Sequence, residues 1–170
     1  MRRASALALL LALACGGPAA AADDDEDPGA ARTTAQPVSP PAFDRTRLIE
    51  VLQPAGSTLS HGVDPGTLTV GPDGEVRFVL VAWRPGGASN VLYEGIRCAS
   101  GEYRVHARHS EERGWTLAPA DSPWRALPSG GGARVAWIIA RMGACEGHVP
   151  GGSAEDIARR LRTGKLPGYE

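Results

Sequence analysis

The sequence predicts an α+β domain in which an antiparallel β-meander of about four to five strands precedes one or two C-terminal helices packed on one face of the sheet. Three successive segments, 75–83, 90–98 and 102–108, are rich in branched and aromatic residues and are joined by short connections. The segment 153–163 instead carries its apolar residues at helical spacing. Strands first and helices last are typical of this fold class.

Alternation of residue types defines the strands of the meander. In the segment 75–83, the even-numbered residues from Val76 to Ala82 are all apolar and the opposite face is mixed, which predicts a half-covered central strand. In the segment 102–108, Tyr103, Val105 and Ala107 alternate with polar residues. Shorter strands are expected earlier in the chain, at 48–52 and 67–70.

The last helix has clear start and stop signals. Ser153 and Asp156 approximate a capping box, Ile157 and Leu161 form an apolar stripe, and Gly164 ends the helix. The preceding segment, 134–142, is apolar nearly all round, a pattern that helix and strand both satisfy. We favour a buried helix that ends near Gly143.

Residues 1–22 are predicted to be a signal peptide. Arg2 and Arg3 supply the positive start, residues 6–14 are an unbroken apolar run, and residues 19–22 are the small residues that a signal peptidase recognises. The apolar run is too short for a permanent membrane helix, which needs about 20 residues. Cleavage after Ala22 would deliver a soluble protein to the periplasm.

A lipoprotein is the alternative. The sequence Leu-Ala-Leu-Ala-Cys (11–15) resembles a lipoprotein signal in which Cys15 would be lipidated, although Ala12 stands where such signals usually have leucine. The protein would then be an outer-membrane lipoprotein. Its membrane attachment would be limited to this N-terminal anchor.

Composition sets the boundaries of the folded part. Residues 23–42 begin with an acidic cluster and continue with proline and polar residues, so we expect a disordered linker. Residues 43–166 are then one domain.

The whole chain has 18 Lys and Arg against 19 Asp and Glu, a formal net charge of −1, so nucleic acid is not an expected partner. An envelope protein or a small ligand is expected instead.

The cysteines predict a disulfide. Once Cys15 is cleaved off or lipidated, Cys98 and Cys145 remain as an even pair. Exported bacterial proteins meet an oxidising compartment, where paired cysteines usually become disulfides. A Cys98–Cys145 bond would stabilise a modest, loop-rich core by about 4 kcal/mol in the chain-entropy model.

Several motifs resemble those of the cryptic neisserial protein-like family. They are Gly-Glu-Val-Arg-Phe-Val-Leu-Val (74–81), Gly-Gly-Ala-Ser-Asn (86–90) and Tyr-Glu-Gly-Ile-Arg-Cys (93–98). The resemblance covers roughly residues 66–163. It implies a secreted or envelope-attached bacterial domain without an established activity, and it supplies no catalytic residues.

Glu94 is the first candidate functional residue. Alternation places it on the apolar face of its strand, so its carboxylate should be ion-paired, exposed at the edge of the sheet, or raised in pKa by burial. Arg77, Arg97 and Arg104 are candidate neighbours, although Arg97 should lie on the opposite face. Glu94 is then either a salt-bridged residue that fixes strand register or an acid that orients a ligand. The candidate ligand-binding residues are Asn90, Tyr93, Glu94, Arg97 and Arg77.

Other chemistry is weakly supported. His106 and His109 should point to opposite faces, and His61 should lie in a loop, so surface histidines are favoured and no metal or cofactor is expected. There is no Gly-x-Ser-x-Gly motif for a nucleophilic serine. The four tryptophans suit either buried anchors, which we favour, or a binding surface.

The expected function is a non-enzymatic binding or structural module. The alternative is a periplasmic hydrolase or metal-dependent enzyme that uses Glu94 with nearby Arg or His.

Overall fold

One large antiparallel sheet and two helices form the described part of the fold. The structure, a computed structural model, describes residues 38–127 and 133–165, so the predicted signal peptide, Cys15 and the predicted linker up to residue 37 lie outside the described residues. The elements are β1 (Ile49–Glu50), β2 (Ser60–Val70), β3 (Glu75–Trp83), β4 (Ser89–Arg97), β5 (Glu102–Ser110), β6 (Gly114–Leu117), β7 (Arg125–Ala126), α1 (Ala133–Ile139), β8 (Cys145–Glu146), β9 (Val149–Pro150) and α2 (Ala154–Thr163). Within these residues, no helix has the length and apolarity needed to cross a membrane.

The main sheet is the predicted meander. Its strand order is β1-β2-β3-β4-β5-β6, and β7 also pairs with β5, while β8 and β9 form a separate small hairpin. The α+β prediction is therefore confirmed. The strand predicted at 67–70 is longer, because β2 starts at Ser60 and continues through a shift of register between Asp64 and Thr69. Pro65 and Gly66, which resemble a turn in sequence, lie within this irregularity, so His61 belongs to a strand rather than to the predicted loop.

Both faces of the sheet are covered. The face towards the helices holds the larger core, which includes Val76, Phe78, Ile96, Ile139 and Leu161. The opposite face holds a second core of buried residues, Val79, Val81, Val91, Tyr93 and Ala107. Partly buried side chains pack against this core from the N-terminal segment and from two tryptophans; they are Val38, Phe43, Leu48, Trp83 and Trp115. The prediction that β3 is half-covered is therefore wrong, because Val79 and Val81 lie beneath this second layer.

A β-bulge interrupts the alternation of β5. Tyr93 pairs with Ala107 and Glu94 pairs with Val105, so His106 is an extra residue in the β4–β5 ladder. As a result, Tyr103 is buried in the helix-side core but Ala107 is buried in the second core. The sequence pattern had placed both residues on one face. Every residue of β5 after His106 therefore lies on the face opposite to the predicted one.

The C-terminal helices follow the predicted signals. Ser153 and Asp156 form a reciprocal capping box, and Gly164 ends α2 in the left-handed conformation, with φ of 64°. Ile157 and Leu161 are fully buried, and each such side chain stabilises the fold by about 2 kcal/mol. The apolar segment 134–142 is helical, as favoured, and a π turn at Ala140–Ala144 continues α1 beyond Ile139.

The predicted disulfide is present between Cys98 and Cys145. The Cα atoms are 5.6 Å apart, and 47 positions separate the two residues along the chain. Cys98 follows β4 directly and Cys145 begins β8 directly after the π turn. The bond therefore joins the central strand of the meander to the C-terminal helical layer.

Removing both sulfur atoms should lower the thermal stability sharply. In the double variant Cys98→Ala, Cys145→Ala, the unfolded chain regains the freedom of the open loop, which corresponds to about 4 kcal/mol. Thermal unfolding of the variant and of the oxidised protein measures this loss. Oxidised protein treated with a reductant is the control and should approach the variant. An unchanged midpoint would mean that the two cysteines are not bonded in the native protein.

Candidate functional site

A group of buried polar side chains lies on the face of the sheet that is turned away from the helices. We call Glu75, Arg77, Tyr93, Arg104 and His106 the polar cluster. Its centre is the contact between Glu75 Oε1 and His106 Nε2, which are 2.5 Å apart. Glu75 is 2% exposed and His106 is 8% exposed. Polar groups buried to this extent must find partners within the protein.

Glycine at position 95 makes the central contact possible. Arg77 on β3, Gly95 on β4 and Arg104 on β5 are paired side by side, so the Glu75 carboxylate reaches His106 across the backbone of Gly95. A Cβ atom at position 95 would lie 1.8 Å from Glu75 Oε1 and 2.7 Å from His106 Nε2. The glycine of the Tyr-Glu-Gly-Ile-Arg-Cys motif is therefore required by this close approach.

Arg77 satisfies the second oxygen of Glu75. Its Nη2 donates to Glu75 Oε2 at 3.0 Å and to Asp73 Oδ2 at 2.6 Å. Burial disfavours the charge of Arg77, but the two carboxylates outweigh this and raise the pKa of the guanidinium. For Tyr93, burial has the opposite effect and raises the pKa of the phenol, although the charge of Arg77 opposes this shift. The phenol of Tyr93 is thus held in its neutral form beside the ion pair.

His106 connects Glu75 to Arg104. The Nη2 atom of Arg104 lies 3.3 Å from His106 Nδ1, and a guanidinium can only donate a hydrogen bond. Nδ1 therefore accepts, and the ring proton is on Nε2, where it is donated to Glu75. Because the ring is fixed by the carboxylate, His106 holds the guanidinium of Arg104 in one place.

Arg104 and Arg97 both lie against Trp124. The guanidinium carbon is 3.8 Å from the ring centroid of Trp124 for Arg97 and 5.1 Å for Arg104. The Trp124 ring also meets His106 edge-on, with the ring centroids 6.2 Å apart. Trp124 is only half-buried, so two cations and one aromatic ring form a preorganised surface at the rim of the cluster.

A groove of about 650 Å³ opens beside this surface. It lies where β5 changes partners, because Glu102 and Tyr103 pair with β7 whereas residues 107–110 pair with β6. The chain between β6 and β7 begins at Ala118, whose N–H donates to the carbonyl of His106 on β5 at 2.8 Å, and the Pro119, Ser122 and Pro123 that follow line the groove. Arg104 lines the groove, so the polar cluster reaches it directly.

The predicted ligand-binding residues are only partly brought together. Arg77 and Tyr93 belong to the polar cluster, and Arg97 lies on the same face against Trp124. Asn90 is exposed at the other end of β4, opposite Ala82. Glu94 pairs with Phe78 and faces the helix-side core, so it takes no part in the cluster.

Glu94 is buried without an ion pair. It is 2% exposed, and within the described residues its Oε2 atom has no hydrogen-bond partner. Burial raises its pKa from 4.5 to about 8, and the charge of Arg108 partly opposes this. Of the three alternatives that the sequence left open for this carboxylate, the geometry fits burial with a raised pKa, and fits neither an ion pair nor a place at the edge of the sheet. The expectation of Arg77, Arg97 or Arg104 as a partner is wrong, because all three lie on the other face and the bulge brings Arg108 to the Glu94 face instead.

The histidines differ from the surface residues predicted. His61 and His106 are buried. His106 and His109 lie on the same face, since His106 contacts Tyr93 and His109 contacts Trp115, which in turn contacts Tyr93. The extra residue at the bulge explains the difference. In the part of the chain that the structure describes, no three His, Cys, Asp or Glu side chains are grouped so as to hold a metal ion.

The fold and this geometry define a disulfide-bonded α+β domain with a buried polar cluster under an arginine–tryptophan surface. The model of the CNP1-like family matches residues 30–162, and the chain belongs to this family. The match confirms the resemblance carried by the motif at 93–98. Neither a curated protein nor a solved structure matches the sequence.

Replacing Gly95 by alanine should destabilise the protein by at least about 1–3 kcal/mol, the usual cost of overpacking a closely packed site. The new methyl group would displace Glu75 from His106. Denaturant unfolding measures the change. Gly87→Ala is the matched control, because a Cβ there would meet only ordinary contact, with Arg84 Cβ at 3.4 Å. Equal stability of the two variants would contradict the close approach of Glu75.

Glu94→Gln should remove a pH dependence of stability. The folded protein keeps the proton of Glu94 up to about pH 8, whereas the unfolded chain loses it near 4.5. The stability contributed by the protonated acid is therefore fully present below pH 4.5 and is lost as the pH rises through about 8. The slope is at most about 1.4 kcal/mol per pH unit.

Unfolding free energies measured at several pH values in this window check the prediction. Glu50→Gln is the control, because Glu50 is exposed on β1 and its removal should leave the slope unchanged. If Glu94→Gln retained the slope of the original protein, Glu94 would be ionised in the folded state at neutral pH, and the proposed burial of an unpaired acid would be wrong.

Proposed function

We propose that the protein is an exported periplasmic domain that binds a ligand or partner protein and catalyses no reaction. The single observation that carries this proposal is the disulfide between Cys98 and Cys145, which joins the sheet to the helical layer. Such bonds persist in oxidising compartments and are rare where thiols are kept reduced. The predicted signal peptide, with its apolar run at residues 6–14, supports the same compartment.

Binding, rather than chemistry, is supported by the way the polar groups are used. Glu75, His106 and Arg77 are bonded to one another and are buried, so they fix the shape of the sheet instead of meeting a substrate. The half-buried Trp124 and its two arginines are the groups that a ligand could reach. Rigid aromatic and arginine side chains of this kind are common at recognition sites.

The alternative of a hydrolase built on Glu94 has little geometric support. Glu94 faces the helix-side core, whereas His106, Arg97 and Arg104 lie on the other face of the sheet. A general acid or base must come within hydrogen-bond reach of its substrate, directly or through one water. Glu94 could do so only if the core opened.

Intact mass of the protein recovered from its own cell envelope tests the proposal. We expect a mature chain that starts at Asp23, or at a lipidated Cys15, and that gains the mass of about two hydrogens on reduction. A native spectrum of the same sample should retain additional mass that is lost on denaturation, because a binding domain should leave the envelope with its ligand.

Two results would contradict the proposal. A chain that retains Met1 and is found with free thiols in the cytoplasm would exclude export. Turnover of an envelope substrate by the purified protein, abolished by Glu94→Gln, would make the protein an enzyme and favour the alternative.

A further inference from the structure

We propose that the groove between β6 and β7 binds phosphate groups carried by a ligand larger than phosphate itself. We call it the arginine groove. Arg104, Arg108, Arg113 and Arg125 line it, and no Asp or Glu is among its lining residues. The inference rests on the proposed function, because it names the class of ligand that the binding domain would take.

The charge of the groove is a local property. The chain as a whole has a formal net charge of −1, yet four of its 18 basic residues line one groove, with Arg104 and Arg108 reaching it from opposite faces of β5. The arginines come from three separate elements: β5, the turn between β5 and β6, and β7. Like charges gathered in this way repel one another, and a bound anion would remove this repulsion.

These guanidinium groups are available to a ligand. Arg108, Arg113 and Arg125 are exposed, and they have no ion pair within hydrogen-bonding distance in the described residues. Two nearby acids are used differently: Glu111 pairs with Arg45, and Glu94 is buried behind Arg108. Two others, Glu112 and Asp121, are exposed but do not line the groove. Arginine is the side chain best suited to phosphate, because its planar array of donors can contact two oxygens at once.

Arg104 is positioned by two other members of the polar cluster. Glu75 fixes the ring of His106, and Nδ1 of that ring accepts from Arg104. The other side of Arg104 lies against Trp124, whose chain neighbours Pro123 and Arg125 line the groove. A donor fixed before binding loses little side-chain entropy when the ligand arrives, which increases affinity.

The size of the groove argues for a ligand larger than inorganic phosphate. Its volume is about 650 Å³, which lies in the range of about 300–1,000 Å³ typical of small-molecule sites. The hydroxyls of Ser110, Thr116 and Ser122 and the apolar surface of Leu117 and Pro119 also line it. These groups suit the sugar or glycerol portion of a phosphorylated ligand, whether this is a soluble sugar phosphate or a lipid headgroup.

Titration of the full mature protein with three probes tests the proposal. The probes are inorganic phosphate, glucose bisphosphate, and phosphatidylcholine vesicles with and without phosphatidylglycerol. Binding is followed by calorimetry, by vesicle sedimentation, and by the tryptophan indole signals in nitrogen-resolved NMR spectra. The variant Arg108→Gln, Arg125→Gln removes two groove charges, and Arg134→Gln, Arg162→Gln removes two exposed charges elsewhere.

We expect glucose bisphosphate or the phosphatidylglycerol vesicles to bind. The groove variant should bind at least about tenfold more weakly, the effect of losing one or more charged hydrogen bonds, while the control variant should bind as the original protein does. Binding of the bisphosphate would identify a soluble ligand, and binding of the vesicles alone would identify a headgroup. Arg125→Gln alone gives a further variant should the double variant unfold.

Three results would overturn the proposal: no binding of any probe, binding of inorganic phosphate alone, or equal weakening by the groove and control variants. Their meaning differs from a failure of the proposed function. A processed, disulfide-bonded protein that binds none of the probes would exclude the phosphate site and leave an exported binding domain. A protein with its leader intact would exclude that function whatever the groove binds.

Discussion

The bulge at His106 is the constraint on which the site depends. Without this extra residue in the β4–β5 ladder, strict alternation would place Ala107 in the helix-side core and Arg108 on the face of the polar cluster. With it, Ala107 packs beside Tyr93 and Arg108 moves to the face of Glu94, while His106 stays on the face of Arg104 and meets Glu75. Bulges commonly redirect side chains next to functional sites, and this one also lies at the groove where β5 changes partners.

Two kinds of buried acid result from this arrangement. Glu75 has a partner for each oxygen, so its burial organises His106 and Arg77. Glu94 faces the helix-side core, where burial raises its pKa and the positive charge of Arg108 opposes this only in part. Glu94 therefore keeps its proton and stays neutral. The same strand pair thus carries a satisfied carboxylate on one face and a neutral acid on the other. The satisfied one supports the arginine–tryptophan surface, through His106 and Arg104.

Much of the fold could be predicted because its signals are local. The capping box of α2, the meander and the placement of Glu94 on the apolar face of its strand each follow from residues close together in the sequence. The cysteine pair follows from the number of cysteines. The cluster could not be predicted in this way. His106 fits a regular alternation, so nothing local indicates an extra residue, and Glu75 lies 31 positions away from it. Pro65 is similar: proline is rare inside strands, so the sequence does not indicate that β2 begins as early as Ser60.

Glu75 fixes His106 so that its Nδ1 accepts a hydrogen bond from Arg104. A long-range proton–nitrogen NMR spectrum of the histidine rings, recorded at mildly alkaline pH, tests this directly. We predict a proton on Nε2 of His106 and an unprotonated Nδ1. Glu75→Gln should disturb this pattern, while Glu50→Gln should not. A proton on Nδ1, or a His106 ring that behaves like a freely solvated one, would contradict this hydrogen-bond arrangement.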